Sequence, residues 1–370
     1  MFKINAPENN ENYALFERFL AKSFSFAATG LTTILRLLLI TKIRKITDKK
    51  VLFVTSTEQN ALRYQNDLLK AFGEKSDLLP FQNISMYETV SPNRYDYAEQ
   101  YRILNEKPDI VIAPVKTILE KFPDENFYKN NSTILKVGDE IDTKILAQKF
   151  VDFGYKHSTM VSDIGEFSIR GDIVDFYSLD KHPVRIELWG DEIVDIRYFN
   201  NETQKSIEKA KEVKIYPIYK FITAGQEYLV KNIQQDGILD DDEIPEENYF
   251  EGIEVYQNFF NKNLVSILDY FEDYTIVFDE TSEIYSKYEF LDENFDKQLE
   301  ENLKLSVIKK IEGKNHFTYD EFLRKTTYFQ KIGFNNFIDG NMGDIVEFNA
   351  QPLRNFEADF DMITSFIKEH

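Results

Sequence analysis

Two adjacent carboxylates at the end of an apolar run are the first candidates for chemistry in this sequence. The run TIVFDE at residues 275–280 is typical of a strand that ends in Asp279 and Glu280. At the carboxyl end of a parallel strand, such a pair can hold magnesium and orient water for nucleotide hydrolysis. Because polar residues also end many ordinary strands, this chemistry needs a phosphate-binding loop beside the pair.

That loop is incomplete. A phosphate-binding loop is rich in glycine and ends in lysine followed by serine or threonine, so that backbone amides and an ammonium cradle the phosphates. The stretch FAATGLTT at residues 26–33 contains Gly30, but no lysine lies between Lys22 and Lys42. Without that cation the phosphate charge is not neutralised, so we expect no ATP hydrolysis and favour an ordinary polar strand end.

Other catalytic and metal-binding arrangements are also missing from the sequence. The absence of cysteine excludes thiolate zinc sites, cysteine nucleophiles and disulfide bonds. Asp172 and Asp175 in RGDIVD would be candidates for acid–base work, but no nucleophile is nearby and turn or strand-end roles are favoured. The histidines form no HxH or HExxH pair, so no metal site is predicted: His157, His182, His316 and His370.

The most informative segment is VRIELWGDEIVDIRYF at residues 184–199, whose pattern predicts a β-hairpin. A three-residue loop at residues 190–192 would place Trp189 opposite Ile193. One face is then apolar, as a half-buried sheet requires: Val184, Ile186, Leu188, Val194, Ile196 and Tyr198. The other face carries Arg185, Glu187, Trp189, Ile193, Asp195 and Arg197.

This second face is typical of a binding surface. Arg185 lies opposite Arg197 in the predicted register, and opposed like charges cost a few tenths to ~1 kcal/mol unless diagonal acidic residues compensate. Trp189 is the single tryptophan of the chain, and tryptophan and arginine are enriched at interaction hot spots. We therefore interpret the face as protein-binding. The alternative is that Trp189 folds under a neighbouring loop while the charges only contact solvent.

The elements that would position these residues change along the chain. Up to about residue 120, the strands KKVLFVTST and KPDIVIAPV flank a helix that ends at Gly73, and consecutive apolar residues predict a parallel sheet buried on both faces. From about Ser132, a helix at residues 143–153 leads into antiparallel strands punctuated by glycine and aspartate. The strand YTIVFDET then restores the α/β pattern.

The simplest architecture is an α/β domain interrupted by a β-rich module, because the pattern on either side of the module matches. A helix is expected at residues 263–270, and the segment from residue 343 onward is expected to be a linker followed by the start of a helix. The predicted parts are residues 1–120 and 217–350 for the α/β domain, 121–216 for the inserted module, and 351–370 for the linker.

The composition of the chain excludes some classes of function. The 370 residues include 44 Lys and Arg against 64 Asp and Glu, a net charge of -20. This acidity argues against a protein that coats DNA or RNA, and the lack of cysteine suits a reducing cytoplasm. The apolar stretch at residues 23–35 is shorter than the ~18 residues of a membrane span. It is expected to form a buried helix, without a signal peptide or membrane association.

Several of these motifs together resemble a known family. GEFSIRGDIVDFY and PVRIELWGDEIVDIRYFNNETQKSI resemble the UvrA-interacting module shared by the excision-repair helicase UvrB and the bacterial transcription-repair coupling factor Mfd. Three further segments are similar to Mfd rather than to UvrB: MYETVSPNRYDYAEQYRIL, IVIAPVKTILEKFP and FEGIEVYQNFFNKNLVSILDYFEDYTIVFDE. A UvrB sequence would show an intact phosphate-binding loop and a tyrosine-rich strand-separating hairpin. The resemblance covers about residues 23–356.

The resemblance implies a fold and a lost activity. The fold would be α/β: a degenerate P-loop helicase-like domain, similar to domain 1 of UvrB, interrupted by an antiparallel β-rich UvrA-binding module. The α/β domain of this family has lost ATP hydrolysis, so Gly30, Asp279 and Glu280 would be remnants of a nucleotide site. No cofactor is expected.

The resemblance also implies which residues bind UvrA. The family uses two arginines and an aromatic residue, which fall on Arg170 of SIRGD, Arg185 of PVRIE and Trp189 of ELWGD. The aromatic residue is commonly phenylalanine, so Trp189 is a departure that would alter the fit while keeping the anchor. Arg197 is added here because it lies opposite Arg185 in the predicted register.

The function implied is that of a non-catalytic, bacterial cytoplasmic module that recruits UvrA to stalled transcription. The family continues into an RNA-polymerase-binding domain, a DNA translocase motor and a C-terminal domain that covers the UvrA-binding face, so RNA polymerase and double-stranded DNA are its other partners. We expect this chain to be an excised portion or a truncated homologue, without those activities. The alternatives are a UvrB-like DNA-dependent ATPase that uses Asp279 and Glu280, and an interdomain scaffold with weak DNA contact.

Overall fold

The computed structural model describes residues 11–81, 87–88, 90–235, 248–308, 310–336 and 343–350. These residues form a parallel sheet and an antiparallel sheet, connected and covered by helices. The predicted α/β class with an antiparallel β-rich region is confirmed at this level. The predicted linker at residues 351–370 lies outside the described residues, and the domain boundaries stay predictions.

The first part of the chain alternates helices and strands. Its elements are α1 (Glu11–Lys22), β1 (Ser25–Thr29), α2 (Thr33–Thr47), β2 (Lys50–Thr55), α3 (Glu58–Asp67), β3 (Asp77–Leu78), α4 (Arg94–Glu106) and β4 (Ile110–Pro114). After α3 the chain continues as a π-helix, Leu68–Phe72, which ends at Gly73 in the left-handed conformation, φ 67°. The end predicted at Gly73 is therefore confirmed, because glycine adopts this conformation without a Cβ clash.

The middle of the chain is rich in strands. Its helices are α5 (Val115–Ile118), α6 (Glu125–Asn130) and α7 (Thr143–Asp152). Its strands are β5 (Phe122–Pro123), β6 (Thr133–Lys136), β7 (Lys156–His157), β8 (Glu166–Arg170), β9 (Ile173–Phe176), β10 (Val184–Trp189), β11 (Glu192–Phe199), β12 (Ser206–Ala210) and β13 (Glu212–Ile215).

The last part returns to the α/β pattern. Two short 3-10 helices, Ile253–Tyr256 and Ile267–Asp269, accompany its regular elements. These are α8 (Glu227–Gln235), α9 (Gln257–Phe260), β14 (Leu264–Val265), β15 (Tyr274–Asp279), α10 (Thr281–Lys304), α11 (Tyr319–Thr326), β16 (Lys331–Asn335) and β17 (Asp344–Glu347). Among the described residues, no helix has the length and apolar character to cross a membrane.

The parallel sheet has the strand order β17-β1-β16-β15-β2-β4-β3, so the chain leaves it after β4 and returns at β15. Its strands pair in parallel throughout. The sheet separates two apolar cores: Leu52 and Val54 of β2 face one core, and Val51 and Phe53 face the other. Burial on both faces, predicted from the consecutive apolar residues, is confirmed because helices cover both sides of the sheet.

The antiparallel sheet has the order β12-β11-β10-β9-β8-β7, in which only the edge strand β7 pairs in parallel, with β8. It comes entirely from residues between β4 and β15. Along β10, buried residues alternate with more exposed ones, the pattern of a sheet with one face against a core. Buried side chains of this sheet, including Val184 and Ile186, belong to the same apolar core as Leu52 of the parallel sheet.

The N-terminal apolar stretch differs from its prediction as a buried helix. Residues 25–29 form β1, which pairs with β16 and β17, and α2 begins at Thr33. Gly30, at φ 66°, separates the two elements. A Cβ at this position would lie 3.0 Å from the backbone nitrogen of Asn349, so both its conformation and its packing require glycine.

Two further predictions were wrong. The helix expected at residues 263–270 is instead β14, paired with β5, and a 3-10 turn whose capping box is formed by Ser266 and Asp269. The segment from residue 343 was expected to lack a strand, but β17 lies at the edge of the parallel sheet, with Val346 fully buried. Strands this short carry too few residues to show a period of two.

Candidate functional site: a charged sheet face and a strand-end pocket

The predicted hairpin is formed by β10 and β11, with one change in register. Arg185 pairs with Arg197 and Glu187 with Asp195, as predicted, but a β-bulge then pairs Leu188 with Ile193. The bulge buries Ile193 and leaves Val194 exposed, opposite to the predicted faces of these two residues. A bulge inserts one extra residue on one strand, which reverses the side-chain alternation beyond it.

A row of polar residues crosses the antiparallel sheet at Arg185. The register places Asp175 of β9 on one side of Arg185 and Arg197 of β11 on the other, with Lys209 of β12 beyond. Successive partners across a sheet lie on the same face. The row therefore brings residues separated by more than thirty positions in sequence into one charged surface.

Asp175 is the centre of the arginine cluster. Its side chain is 0% exposed and accepts hydrogen bonds from Arg185 Nε at 2.7 Å and Arg185 Nη2 at 2.8 Å. Its Oδ2 atom also accepts from Arg170 Nη2 at 2.7 Å. These hydrogen bonds raise the pKa of Arg185 above its ordinary value. Two guanidinium groups thus share a single buried carboxylate, and the structure brings together two of the three arginines predicted to bind UvrA, Arg170 and Arg185.

The two arginines differ in exposure. The side chain of Arg170 is 49% exposed, whereas that of Arg185 is 17% exposed. The guanidinium of Arg185 lies 4.8 Å from the ring centroid of Phe199, a buried residue of β11. A cation over an aromatic face is attracted to it, so Phe199 and Asp175 together fix the orientation of Arg185.

Arg197 lies in a second cluster on the same face. Its guanidinium forms ion pairs with Glu187 and with Asp195, the latter at 2.8 Å. Lys209 contacts the other oxygen of Asp195 at 2.7 Å. The diagonal pairing of Arg197 with Glu187 is the compensation predicted for the opposed like charges. Arg197 is 20% exposed, and its predicted role in binding stays a prediction.

Trp189 lies at the end of the hairpin with 81% of its surface exposed, so it is not folded under a neighbouring loop. Backbone hydrogen bonds hold the hairpin tip against residues 138–141: Gly138 donates to Ile193 at 2.8 Å, Ile193 donates to Asp139 at 2.9 Å, and Ile141 donates to Asp191 at 2.8 Å. The exposed indole is therefore presented from a hairpin whose tip is hydrogen-bonded to a neighbouring segment.

The second candidate site lies at the carboxyl ends of β1 and β15. A pocket there is lined by Gly30, Asp279 and Glu280, so the structure brings together the three predicted nucleotide-site remnants. Arg36, from the second turn of α2, extends between the carboxylates and forms ion pairs with both. The carboxyl end of a parallel sheet is where α/β proteins commonly bind ligands, and here the protein's own cation lies at that position.

The contacts around Arg36 are extensive. It also donates to Asn336 Oδ1 at 3.0 Å. Tyr64 donates its hydroxyl to Asp279 at 3.0 Å, and burial raises the pKa of Tyr64 so that this proton is retained. Although burial alone would lower the pKa of Arg36, the charge of Asp279 raises it above its ordinary value. The buried carboxylate of Asp279 is thus paired with a permanent cation.

Sequence reasoning missed Arg36 because only lysines within the loop were considered as cations. A search for any basic residue on the following helix would have found it. Asp172 and Asp175 do not act as a pair: Asp172 is exposed in the turn before β9, whereas Asp175 is fully buried. Asp175 was undervalued because only the strand register shows its two arginine partners.

Sequence reasoning also missed one cluster of side chains of the types that bind metal ions. Asp292, Asp296 and His316 place one ligand atom each within 4.8 Å of one another. Lys314 lies 2.7 Å from Asp296, and His316 Nε2 lies 2.8 Å from Asp292. Burial lowers the pKa of His316, favouring its neutral form. Lys314 supplies one positive charge beside the two carboxylates, and the four side chains form a network of polar contacts with one another.

Comparison with known proteins confirms the predicted resemblance. Residues 134–221 match the family model of the UvrB interaction domain. The transcription-repair-coupling factor of Bacillus subtilis (strain 168) is 31% identical over 293 residues, which cover 71% of this chain and 25% of that protein. The protein of the same name from Staphylococcus aureus (strain MRSA252) is 26% identical over 387 positions, covering 91% of this chain and 31% of that protein.

The chain is thus similar to the N-terminal region of transcription-repair-coupling factors. It spans less than a third of the length of either relative. The matched domain includes the whole charged face, since β8 to β12 lie within residues 134–221.

Proposed function

We propose that this chain is a non-catalytic module that recruits UvrA and thereby links stalled transcription to nucleotide excision repair. The observation that carries the proposal is the coincidence of the matched UvrB interaction domain with a face on which Arg170, Arg185 and exposed Trp189 lie together. Contacts with RNA polymerase and double-stranded DNA would belong to the other regions of a full-length relative.

The physical character of the face supports a protein partner. Exposed tryptophan and partly desolvated arginine are the side chains that dominate binding energy at protein interfaces. The bulk of the chain is acidic, with a net charge of -20, so the arginine cluster is a local exception to the surface charge. Such local charge complementarity sets the choice of partner and the association rate.

Titration of purified UvrA with the chain tests the proposal. We expect Arg185→Ala to lower affinity by about 2 kcal/mol or more, because a partly buried charged contact is lost. Lys129→Ala is the matched control, since Lys129 is 68% exposed on α6, outside the antiparallel sheet. Wild type and Lys129→Ala should bind alike. Equal affinity of wild type and Arg185→Ala would contradict the assignment of this face.

The absence of catalysis is part of the proposal and rests on the strand-end pocket. In a nucleotide hydrolase, the carboxylates at this position hold magnesium and the loop supplies a lysine. Here Arg36 forms ion pairs with both carboxylates, so neither is free to hold magnesium, and the loop around Gly30 has no lysine. We infer that the α/β part is a degenerate P-loop domain related to that of UvrB. The competing function, a UvrB-like ATPase, requires Arg36 to leave the pocket when nucleotide binds.

A further inference from the structure

Arg170 and Arg185 both donate to the carboxylate of Asp175, and the role of that carboxylate rests on the proposed function. We propose that Asp175 is the positioning residue of a paired-guanidinium receptor that accepts an acidic side chain of the partner protein. Asp175 itself is fully buried and cannot touch a partner. It acts by fixing two arginines in one orientation before the partner arrives.

The geometry of the pair supports pre-organisation. Arg185 contacts Asp175 through two nitrogen atoms, which fixes the plane of the guanidinium as well as its position. Phe199 lies against that plane, and Gln204 Oε1 accepts from Arg185 Nη2 at 3.4 Å. A side chain that is already ordered loses less conformational entropy on binding, so its contacts contribute more to affinity.

The charges distinguish this cluster from the neighbouring one. Arg170 and Arg185 share one carboxylate, so their cluster carries one excess positive charge. In the second cluster, Arg197 and Lys209 face Glu187 and Asp195, so the charges cancel. An acidic partner group is therefore attracted to the Asp175 cluster rather than to the Arg197 cluster.

Hydrogen-bond donors also remain for a partner. Among the described residues, Arg185 Nη1 and the Nε and Nη1 atoms of Arg170 have no hydrogen-bond acceptor in the chain. These remaining N–H groups are charged donors, which form short and strong hydrogen bonds with carboxylates. The chemical class of the recognised group is therefore a carboxylate, from aspartate or glutamate.

The test compares two neutralised carboxylates on the same face. Asp175→Asn keeps the shape of the side chain but removes its charge, whereas Glu187→Gln does the same to a partner of Arg197. Affinity for purified UvrA, corrected for the folded fraction, should fall by about tenfold in Asp175→Asn, as expected when charged hydrogen bonds lose one acceptor oxygen and its charge. It should change by less than about twofold in Glu187→Gln.

A double-mutant cycle separates positioning from a general loss of structure. In the Asp175→Asn background, Arg185→Ala should weaken binding much less than it does in the wild type, because the arginine is no longer held. Arg185→Lys provides a second variant that keeps the charge at a partly exposed position. It should bind almost as weakly as Arg185→Ala, since lysine cannot form the two-atom contact with Asp175.

The outcomes distinguish this inference from the proposed function. If the wild type does not bind UvrA, the proposed function fails and the receptor with it. If the wild type binds and Arg185→Ala does not, but Asp175→Asn or Arg185→Lys binds like the wild type, the face is correct and the positioning role is overturned. Equal losses in Asp175→Asn and Glu187→Gln would also overturn it.

Discussion

At the scale of single residues, Arg36 has the largest consequence for the α/β part. Its side chain is 6% exposed, and the side chains of Asp279 and Glu280 are 4% and 14% exposed. Removing one partner of a buried ion pair leaves an uncompensated charge, which costs more than the pair contributes. We therefore expect Arg36, which pairs with both carboxylates of the pocket, to be required for stability.

Replacing Arg36 by methionine tests this role. We expect Arg36→Met to lower the free energy of unfolding by about 3 to 5 kcal/mol in urea titrations near neutral pH. Arg44→Met is the matched control, because Arg44 and its partner Asp109 are 40% and 50% exposed, and exposed pairs contribute about 0 to 1 kcal/mol. A loss in Arg36→Met no larger than in Arg44→Met would contradict the role.

The loss in Arg36→Met should also depend on pH. Burial raises the pKa of Asp279, and Arg36 is the cation that opposes this rise. A carboxyl group whose pKa is higher in the folded state than in the unfolded state favours folding when it is protonated. The loss of unfolding free energy in Arg36→Met should therefore become smaller as the pH falls toward 4 to 5. If this loss of unfolding free energy is constant from pH 8 to pH 5, the carboxylates are not its source.

The same pocket gives a nucleotide prediction. Calorimetric titration of the wild-type chain with ATP in the presence of magnesium should show no binding, because Arg36 is ion-paired with both carboxylates and the loop has no lysine for the phosphates. Tight, magnesium-dependent binding of ATP would contradict the non-catalytic assignment and favour the ATPase alternative. The measurement is independent of UvrA.

At the scale of elements, the hairpin shows what the sequence could predict. Alternation along residues 184–199 correctly predicted both strands and the pairing of Arg185 with Arg197. It did not predict the bulge, because Ile193 and Val194 are both apolar and either could face the core. Contacts with residues 138–141, which lie far from the hairpin in sequence, select Ile193. Register beyond the bulge is thus decided by tertiary packing.

The exposed end of the hairpin gives a prediction for Trp189. Because its side chain is 81% exposed, Trp189→Ala should leave the melting temperature nearly unchanged while weakening UvrA binding by at least about tenfold, as for an aromatic hot spot. Tyr328→Ala is the control, since Tyr328 is 85% exposed after α11. If the two variants bind UvrA equally well, Trp189 is not an anchor.

At the scale of the whole molecule, the two large sheets of the described residues differ in class. The class of each sheet was predictable from sequence, because consecutive apolar residues and alternating residues indicate different burial. The short strands β14 and β17 were not, since they depend on partners distant in sequence. The candidate site residues also depend on partners distant in sequence. Resemblance indicated Arg170 and Arg185, but only the folded sheet showed that both donate hydrogen bonds to Asp175.

Competition for UvrA tests the central claim most directly. The chain and UvrB should bind UvrA through the same kind of domain, so increasing amounts of the chain should displace labelled UvrB from UvrA. Arg185→Ala should not displace it at concentrations where the wild type does. A ternary complex in which UvrB and the chain occupy the same site of UvrA at the same time would contradict the account. Equal displacement of UvrB by the wild type and by Arg185→Ala would also contradict it.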